Sequence, residues 1–300
     1  MRVLLFGANG QVGTALRELS SPSLEIIAVT REGTLAGQAC EKADFLQPRS
    51  LVDVINSVKP NAVINAAAYT AVDRAETERD IAFKINAEAP GVIAQVCVKT
   101  DLPLIHYSTD YVFDGNARTP YDPDSPTTPC NVYGESKLAG EYAIQQAGGN
   151  TLILRTSWVY GIYGNNFFRT MLHLADRDQV SVVDDQFGSP TPAWLIAEIT
   201  AKILEKGFAD GGLHHLVTHG STTWADFASA IFQGAVEHRL INRAPIVLPI
   251  PSSEYPTAAK RPGYSVLDTK SLEKTLGVQL PTWESGLART FEIAVTPDIQ

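Results

Sequence analysis

The chain opens with Arg2-Val-Leu-Leu-Phe-Gly7-Ala-Asn-Gly10-Gln-Val-Gly13, an apolar run that leads into three evenly spaced glycines. An apolar run, a glycine turn and a helical pattern predict a β-strand that enters a helix. There Gly7 permits the tight bend, Gly10 lets the backbone approach a pyrophosphate, and Gly13 allows close packing of the helix. The free amides and the dipole of a helix start attract phosphate. The GxxGxxG spacing is a variant of the dinucleotide fingerprint, and a plain glycine-rich turn is the alternative.

The rest of the first half alternates short apolar runs with longer helical patterns. Such alternation predicts βαβ units and a parallel sheet, and runs that are apolar throughout are typical of strands covered on both faces. The sequence therefore predicts an α/β fold, a Rossmann-type doubly wound parallel sheet. The expected strands are 2–6, 25–29, 62–65, 103–107 and 151–155, and the expected helices are 11–19, 48–57, 79–99 and 132–146.

The second half is less regular and predicts a smaller domain that grows out of the later loops. We expect loops at 121–129 and 184–192, helices at 191–205 and 223–237, a strand at 213–217 and extended chain over 246–263. We expect residues 1–160 to form an NAD(P)-binding domain, to which segments near 190–218 return. Residues 161–300 would form mainly a smaller, interleaved substrate-binding domain.

The composition limits the class of protein. The 300 residues are 44% hydrophobic and 19% charged, which excludes a disordered chain and a coiled coil. The net charge of −9 speaks against a nucleic-acid partner, because nonspecific nucleic-acid binding needs a basic surface. No uncharged apolar run approaches the length of a membrane span, and the first apolar run ends too soon for a signal peptide. Three widely spaced cysteines fit a reducing compartment. We expect a cytoplasmic protein with no membrane partner.

The end of the second predicted strand bears on cofactor choice. It reads Val29-Thr30-Arg31, without the acid that usually binds the adenosine ribose hydroxyls in NAD-preferring proteins. Arg31 is suited to neutralise a 2′-phosphate, so Thr30 and Arg31 favour NADPH, with NADH still acceptable. A solvated surface arginine is the alternative.

A second motif, Tyr133-Gly-Glu-Ser-Lys137, places a phenol and an ammonium one helical turn apart. A nearby ammonium lowers the pKa of a phenol, which makes the phenol a better acid-base group at neutral pH. The motif gains weight from Thr109, which follows the fourth predicted strand, at the edge of the sheet where α/β proteins bind ligands. A hydroxyl that orients a carbonyl, a tyrosine that supplies a proton and a lysine that tunes it suit hydride transfer. An amphipathic helix is the alternative interpretation.

Longer motifs follow one another along nearly the whole chain, and they resemble those of extended short-chain dehydrogenases/reductases. More narrowly, the chain is similar to the dTDP-4-dehydrorhamnose reductase family. The motifs are Leu5-Phe-Gly-Ala-Asn-Gly-Gln-Val-Gly13, Asn65-Ala-Ala-Ala-Tyr-Thr-Ala-Val-Asp73, His106-Tyr-Ser-Thr-Asp-Tyr-Val-Phe113, Asn131-Val-Tyr-Gly-Glu-Ser-Lys-Leu-Ala-Gly-Glu141, Arg155-Thr-Ser-Trp-Val-Tyr160, Asp185-Gln-Phe-Gly-Ser-Pro190 and Arg261-Pro262.

The resemblance implies roles for individual residues. Tyr133 would be the general acid, Lys137 its partner and a ligand of the nicotinamide ribose, and Thr109 the residue that holds the substrate oxygen. Asp110 and Trp158 would contact the sugar. In the cofactor site, Gly10, Gln11 and Val12 would face the pyrophosphate, Asp44 and Phe45 would flank the adenine, Ala68, Tyr69 and Thr70 would line the cofactor, and Tyr107 would lie under it. Asn86 falls where related enzymes keep a structural asparagine.

The resemblance also implies a reaction: reduction by NADPH of the C4 ketone of dTDP-4-dehydro-L-rhamnose. Sugar dehydratases of this fold carry Asp-Glu after the active-site threonine, whereas here Asp110 is followed by Tyr111, which favours a reductase. Three alternatives stay open: a nucleotide-sugar epimerase, a reductase of another 4-keto sugar, and a non-catalytic subunit of the kind that regulates methionine adenosyltransferase. The expected partner is a nucleotide sugar, and the expected state is a monomer or homodimer.

No metal is expected. Some members bridge dimers with magnesium through acidic residues near the first helix, but this chain has Thr14-Ala15-Leu16 there. His214 and His215 are neighbours on a predicted strand, so their side chains would point to opposite faces.

Overall fold

The computed structural model describes residues 1–207 and 211–296. Residues 208–210, which fall in the predicted 190–218 segment, and residues 297–300 lie outside that description. In chain order the strands are β1 (Arg2–Phe6), β2 (Glu25–Thr30), β3 (Thr34–Leu35), β4 (Gln38–Ala39), β5 (Glu41–Lys42), β6 (Ala62–Asn65), β7 (Leu104–Thr109), β8 (Thr151–Thr156), β9 (Val159–Tyr160), β10 (Gln179–Val183), β11 (Phe187–Gly188), β12 (Thr191–Pro192), β13 (Gly212–His215), β14 (Thr222–Thr223) and β15 (Ile246–Ile250).

Eleven α-helices lie within the described residues. They are α1 (Gln11–Glu18), α2 (Pro48–Val58), α3 (Val72–Ala75), α4 (Arg79–Phe83), α5 (Ala89–Lys99), α6 (Val132–Ala147), α7 (Phe167–His173), α8 (Ala193–Lys206), α9 (Trp224–Glu237), α10 (Lys270–Leu276) and α11 (Trp283–Ala294). A π-helical turn, Lys84–Glu88, joins α4 to α5, and 3₁₀ turns cover Asp110–Val112 and Ser252–Glu254.

The main sheet has seven parallel strands in the order β13-β8-β7-β6-β1-β2-β5. The strand order reverses at β1, which lies between β2 and β6. This strand order confirms the predicted doubly wound α/β fold. Such sheets bind ligands in the crevice beside the reversal, at the carboxyl ends of the strands.

Alternate residues of each strand enter two separate apolar layers, one on each face of the sheet. Leu5 and Ile64 pack toward α1 and α8, whereas Leu4 and Val63 pack toward α2 and α5. Burial on both faces explains why the strand sequences are apolar throughout rather than alternating.

The first half matches the predicted elements within a few residues, with one correction that affects the site. Strand β7 runs to Thr109, so Thr109 is the last residue of the strand instead of following it. The predicted helix 79–99 is one helical run with a π turn inside it. By length and composition this run could cross a membrane, but 56% of its most apolar window is buried in the protein, as in core helices of soluble proteins.

The second half contains elements that the sequence analysis did not predict, namely α7, β10, α10 and α11. Strand β10 pairs in parallel with β15, and a third apolar cluster joins this pair to α7, α9 and α11 through Phe168, Phe227 and Phe291. The predicted loop 184–192 contains the short strands β11 and β12. Helix α8 packs against α1, and β13 pairs with β8 in the main sheet.

Candidate active site

The glycine turn between β1 and α1 has the geometry of a phosphate-binding turn. Gly7 has φ +78°, and a Cβ on it would lie 2.6 Å from the Ala66 carbonyl carbon. A Cβ on Gly13 would lie 2.1 Å from the Gly7 oxygen, so both positions need glycine for the fold itself. Gly10 is exposed and its Cβ would meet only ordinary contact, at 3.4 Å. No side chain caps the start of α1, so its amides remain available to an anion.

A cleft of about 310 Å³ lies beside this turn at the carboxyl end of the sheet. It brings together six of the predicted cofactor residues: Gly7, Thr30, Arg31, Asp44, Phe45 and Ala68. Glu32 also lines the cleft and was missed. The size of the cleft and the uncapped helix start beside it fit the adenosine and pyrophosphate portions of a dinucleotide.

At the end of the cleft suited to adenosine, Thr30 and Arg31 differ in burial and in their contacts. The buried Thr30 hydroxyl accepts hydrogen bonds from the amides of Gly33 (3.0 Å) and Thr34 (3.2 Å), so it shapes the turn after β2. The Arg31 side chain is 72% exposed, and its Nε lies 2.9 Å from the Glu32 carboxylate. The prediction that this tip carries no acid is wrong, because Glu32 is a direct neighbour of the predicted phosphate ligand.

Other predicted cofactor residues point elsewhere. The Tyr107 ring lies in the apolar layer between the sheet and α8, and its hydroxyl is 2.7 Å from Thr200 Oγ1. This differs from the expectation that it lies under the cofactor, because neighbouring residues of β7 face opposite sides. Gln11 Oε1 is buried and has no partner among the described residues, in a small cleft beside Tyr163 and Trp194.

The segment after β6 is held by Asn86, as the structural role implied. The amide of Tyr69 donates to Asn86 Oδ1 (2.8 Å), and Asn86 Nδ2 donates to the Tyr69 carbonyl and to Ser136 Oγ. The Tyr69 hydroxyl donates to Glu78 (2.5 Å), and Thr70 is exposed.

Thr109, Asp110 and Tyr133 meet where β7 ends and α6 begins. Thr109 Oγ1 donates to Asp110 Oδ1 (3.0 Å) and accepts from the amide of Tyr111 (3.2 Å). A hydrogen bond with Thr109 lowers the pKa of Tyr133, but burial outweighs it and raises that pKa to about 12. Asn131 caps α6 through the Gly134 amide (2.8 Å), which fixes the first turn that carries Tyr133.

Lys137 lies below this group, and it is buried. Its Nζ donates to the Tyr107 carbonyl (2.7 Å) and lies 3.3 Å from His106 Nε2. Burial lowers the pKa of Lys137 to about 8, while Glu141 opposes the change. Burial, Thr109 and Asp110 are the causes that act on the pKa of Tyr133 here, and the lowering of that pKa by Lys137 stays a prediction.

Asp110 is a buried carboxylate beside Tyr133. Burial raises its pKa to about 6, although Ser265 and Thr109 donate to it and oppose the rise. Its Oδ2 has no hydrogen-bond partner among the described residues.

A second cavity, of about 690 Å³, lies close to Tyr133. Tyr111 lines it and packs edge to face against Tyr133, with ring centroids 5.5 Å apart. The remaining walls come from α7, β10, Trp224 and the segment 252–261. Tyr133 therefore packs against the wall of a cavity large enough for a second ligand.

Trp158 is not among the residues that line this cavity, but it stacks on Trp224, which lines it. The two indoles stack with centroids 3.5 Å apart and an interplanar angle of 6°. A Cβ on Gly188 would lie 2.4 Å from the Trp158 ring, so the glycine leaves room for it. The sequence does not predict Trp224 as a residue of the site, because a tryptophan at the start of an amphipathic helix is typical of the hydrophobic core.

Among residues 1–207 and 211–296, no three His, Cys, Asp or Glu side chains are grouped so that they could hold a metal ion. His214 Nδ1 lies 2.9 Å from Ser271 Oγ, and His215 Nδ1 lies 3.1 Å from the Asp268 carbonyl.

A doubly wound sheet with a glycine turn, a threonine at the end of β7 and a Tyr-x-x-x-Lys pair on α6 defines an extended short-chain dehydrogenase/reductase. Within that class, residues 1–295 match the RmlD substrate binding domain, and the chain belongs to this family.

Relatives of known sequence and structure agree. The dTDP-4-dehydrorhamnose reductase of Escherichia coli (strain K12) is 41% identical over 293 residues, covering 96% of this chain and 96% of that protein. That of Burkholderia thailandensis is 41% identical over 295 residues, covering 94% and 95%. The crystal structure of dTDP-4-dehydrorhamnose reductase from Bacillus anthracis str. Ames in complex with NADP superimposes with a TM-score of 0.88 at 37% identity, covering 97% and 99%. The resemblance inferred from the motifs is confirmed.

Proposed function

We propose that this protein is an NADPH-dependent oxidoreductase that reduces the C4 ketone of dTDP-4-dehydro-L-rhamnose to dTDP-L-rhamnose, the last step of dTDP-rhamnose biosynthesis. The observation that carries the proposal is the position of Tyr133, which is hydrogen-bonded to Thr109 and packs against Tyr111 in the wall of the 690 Å³ cavity. Relatives that are dTDP-4-dehydrorhamnose reductases support the substrate, and the NADP complex of one supports the cofactor.

The residues that would hold the cofactor are those of the glycine turn and the adenosine cleft, from Gly7 to Ala68, with Lys137 at the ribose of the nicotinamide. When bound, NADPH supplies the hydride that reduces the ketone carbon. The remaining steps belong to the chain itself.

Tyr133 supplies the proton. Its pKa of about 12 keeps the phenol protonated at neutral pH, so it is ready to act as an acid toward the oxygen that gains negative charge. Thr109 holds that oxygen through its hydroxyl, whose other contacts fix its position. The phenolate that remains is stabilised when Lys137 is charged, since an opposite charge nearby favours the ionised form.

The sugar nucleotide occupies the larger cavity. The resemblance assigns contacts with the sugar to Asp110 and Trp158, and Trp158 stacks on Trp224, which lines the cavity. We assign cofactor binding to residues 1–160 with the 190–218 segments, and sugar binding mainly to the rest of 161–300. Composition and charge support a cytoplasmic enzyme without membrane or nucleic-acid partners, as a monomer or homodimer.

The test is turnover with NADPH and dTDP-4-dehydro-L-rhamnose, followed by loss of NADPH absorbance and by chromatography of the product. We expect one dTDP-L-rhamnose for each NADPH oxidised, and a much lower rate with the UDP sugar. Conversion of a sugar without NADPH consumption would indicate an epimerase, and no conversion of either kind would indicate a non-catalytic subunit.

A further inference from the structure

Three buried polar side chains form a row beneath the active site, and the mechanism above uses only the last of them. They are Asn65 (1% exposed), His106 (0%) and Lys137 (2%). Asn65 and His106 are register partners on the parallel strands β6 and β7, so their side chains project from the same face of the sheet. Helix α6 brings Lys137 to the other side of the imidazole.

The direction of each hydrogen bond in this row follows from Asn65. Its Oδ1 accepts from the amide of Ala67 (3.1 Å), which leaves Nδ2 to face His106 Nδ1 at 3.0 Å. An amide nitrogen can only donate, so Nδ1 must accept. Burial holds the pKa of His106 well below its usual value, so the ring is neutral. A neutral imidazole has one N–H, which here lies on Nε2.

This tautomer has a consequence at Lys137. The Nε2–H group points at Nζ across 3.3 Å, while the Tyr107 carbonyl accepts from Nζ at 2.7 Å. An ammonium has three donors and no lone pair, so it cannot accept from Nε2–H. A neutral amine can donate to Tyr107 and accept from His106 at the same time.

We propose that His106 is a positioning residue: held by Asn65 as its Nε2–H tautomer, it favours the neutral amine of Lys137 over the ammonium. The inference rests on the proposed function only in its effect on turnover. It explains why a fully buried histidine lies against the lysine of the active site without reaching the substrate cavity.

The other groups around Lys137 do not supply this effect. Glu141 on α6 favours the ammonium, but Arg155 on β8 binds it through two hydrogen bonds of 2.9 and 2.7 Å. Tyr133, one turn earlier on α6, is a neutral phenol at neutral pH, and Asp110 at the end of β7 also favours a cation. His106 is therefore the neighbour that opposes the charge through a directed donor.

The alkaline limb of the kcat profile reports the effect, because Lys137 must be charged to stabilise the Tyr133 phenolate. In Asn65→Asp, the carboxylate accepts from Nδ1–H and leaves Nε2 as an acceptor for the ammonium. We expect the limb to move up by about one pH unit, with kcat at lower pH and KM for NADPH changed less than about three-fold. His106→Phe removes Nε2–H without adding a charge, and it should move the limb in the same direction.

The matched control is His215→Phe, which replaces another fully buried histidine of the same sheet and should leave the limb unmoved. A merely structural role for His106 predicts lower kcat at every pH with the limb unmoved, and that result would overturn the proposal. If the alkaline limb moved up in Asn65→Asp but not in His106→Phe, the shift would be due to the new charge. That result would also overturn the proposal.

A second measurement needs no turnover, so it separates this proposal from the proposed function. Protein labelled with ¹⁵N in histidine, with His106 assigned from the spectrum of His106→Phe, should show the Nε2–H tautomer in the native chain and the Nδ1–H tautomer in Asn65→Asp. An Nδ1–H tautomer in the native chain would refute the proposal even if the enzyme reduces its substrate as expected.

Discussion

Asp73 and Arg261 lie 188 residues apart in the chain and form a two-pronged ion pair, with Nη1 2.7 Å from Oδ1 and Nη2 2.6 Å from Oδ2. The amide of Ala259 donates to the same carboxylate (3.0 Å). Close by, Asn131, the cap of α6, donates to the Lys260 carbonyl (2.7 Å). The wall of the larger cavity is thus attached at two points, to α3 and to the start of α6, which carries Tyr133.

This connection predicts a substrate-specific defect in Asp73→Asn. Loss of the charge-assisted pair should loosen the 255–261 wall and raise KM for the sugar nucleotide by roughly ten-fold, the effect of one such hydrogen bond. The Kd for NADPH should stay within about two-fold, and Tm should change little because the pair is half exposed. Arg261 holds the pKa of Asp73 at about 2, so the defect should be the same at any pH above 4.

Glu198→Gln is the control for that variant, since Glu198 pairs with Arg289 at a similarly exposed site away from the cavity. Equal changes in KM for the two variants, or an equal loss of NADPH affinity in Asp73→Asn, would show that the pair does not act on the sugar site.

Removing the Tyr133 hydroxyl should abolish most turnover and leave the fold intact. Tyr133→Phe keeps the ring and its edge-to-face contact with Tyr111. We expect kcat to fall by roughly 10²–10⁴, the usual contribution of general acid catalysis, with Tm and NADPH affinity nearly unchanged. Steady-state kinetics and a thermal melt check this, and near-normal turnover would remove Tyr133 from the mechanism.

The buried carboxyl of Asp110 should make stability depend on pH. Its folded pKa of about 6 exceeds the unfolded value of 3.8, so ionisation favours the unfolded chain as the pH rises through this window. Between pH 4 and 7.5, native stability should fall relative to Asp110→Asn by about 2–3 kcal/mol. Urea unfolding of both proteins at the two pH values measures the difference.

Asp114→Asn should show the opposite sign, because Tyr121 lowers the pKa of Asp114 in the folded protein. Its carboxylate stabilises the fold above about pH 4, and this contribution is lost as the pH falls.

The prediction for Asp110 itself would be contradicted if the unfolding free energies of wild type and Asp110→Asn ran parallel with pH. That result would show that Asp110 is not the buried acid we describe.

The first half of the fold could be predicted from the sequence because its signals are local. A glycine turn, apolar strands and helices of the right length recur in order, and β1 and β6 have the predicted bounds. The missed strand β10 alternates buried and exposed residues and finds its partner β15 more than sixty positions later. Helices α10 and α11 gain their apolar contacts only from distant segments, so their short patterns gave no clear signal.

The residues of the site also divide into those that local motifs predict and those that depend on tertiary packing. Thr109, Tyr133 and the adenosine cleft followed from motifs, since residue type and position at a strand end suffice. The roles of His106 and Trp224, by contrast, depend on which side chain lies opposite, and that is fixed by strand register and helix packing. Tyr107 shows the limit most clearly, because one residue along β7 separates a side chain near Lys137 from one in the opposite apolar layer.

Cofactor preference should depend on both Arg31 and Glu32. Arg31→Ala should raise KM for NADPH by roughly ten-fold, about 1.4 kcal/mol, and leave KM for NADH almost unchanged. Glu32→Gln should act in the opposite direction, because it frees Arg31 from its ion pair and removes a negative charge near the 2′-phosphate. Arg49→Ala, an exposed arginine outside the cleft, should change neither value. Equal changes for both cofactors would make Arg31 a plain surface residue.

Trp158 offers the sharpest test of how the sugar is held. A tryptophan that is only core should cost roughly 3–5 kcal/mol when truncated to alanine. Trp158 is instead half buried, has φ +46°, and stacks one face on Trp224, and such an aromatic pair is worth about 0.5–1.5 kcal/mol beyond burial. We expect Trp158→Ala to lower Tm by only a few degrees, to keep NADPH affinity, and to weaken sugar-nucleotide binding. Trp158→Phe keeps a ring against Trp224 and should recover most of that binding. A large fall in Tm with unchanged sugar affinity would mean that the indole serves the core, because a residue that contacts the sugar must change the affinity for it.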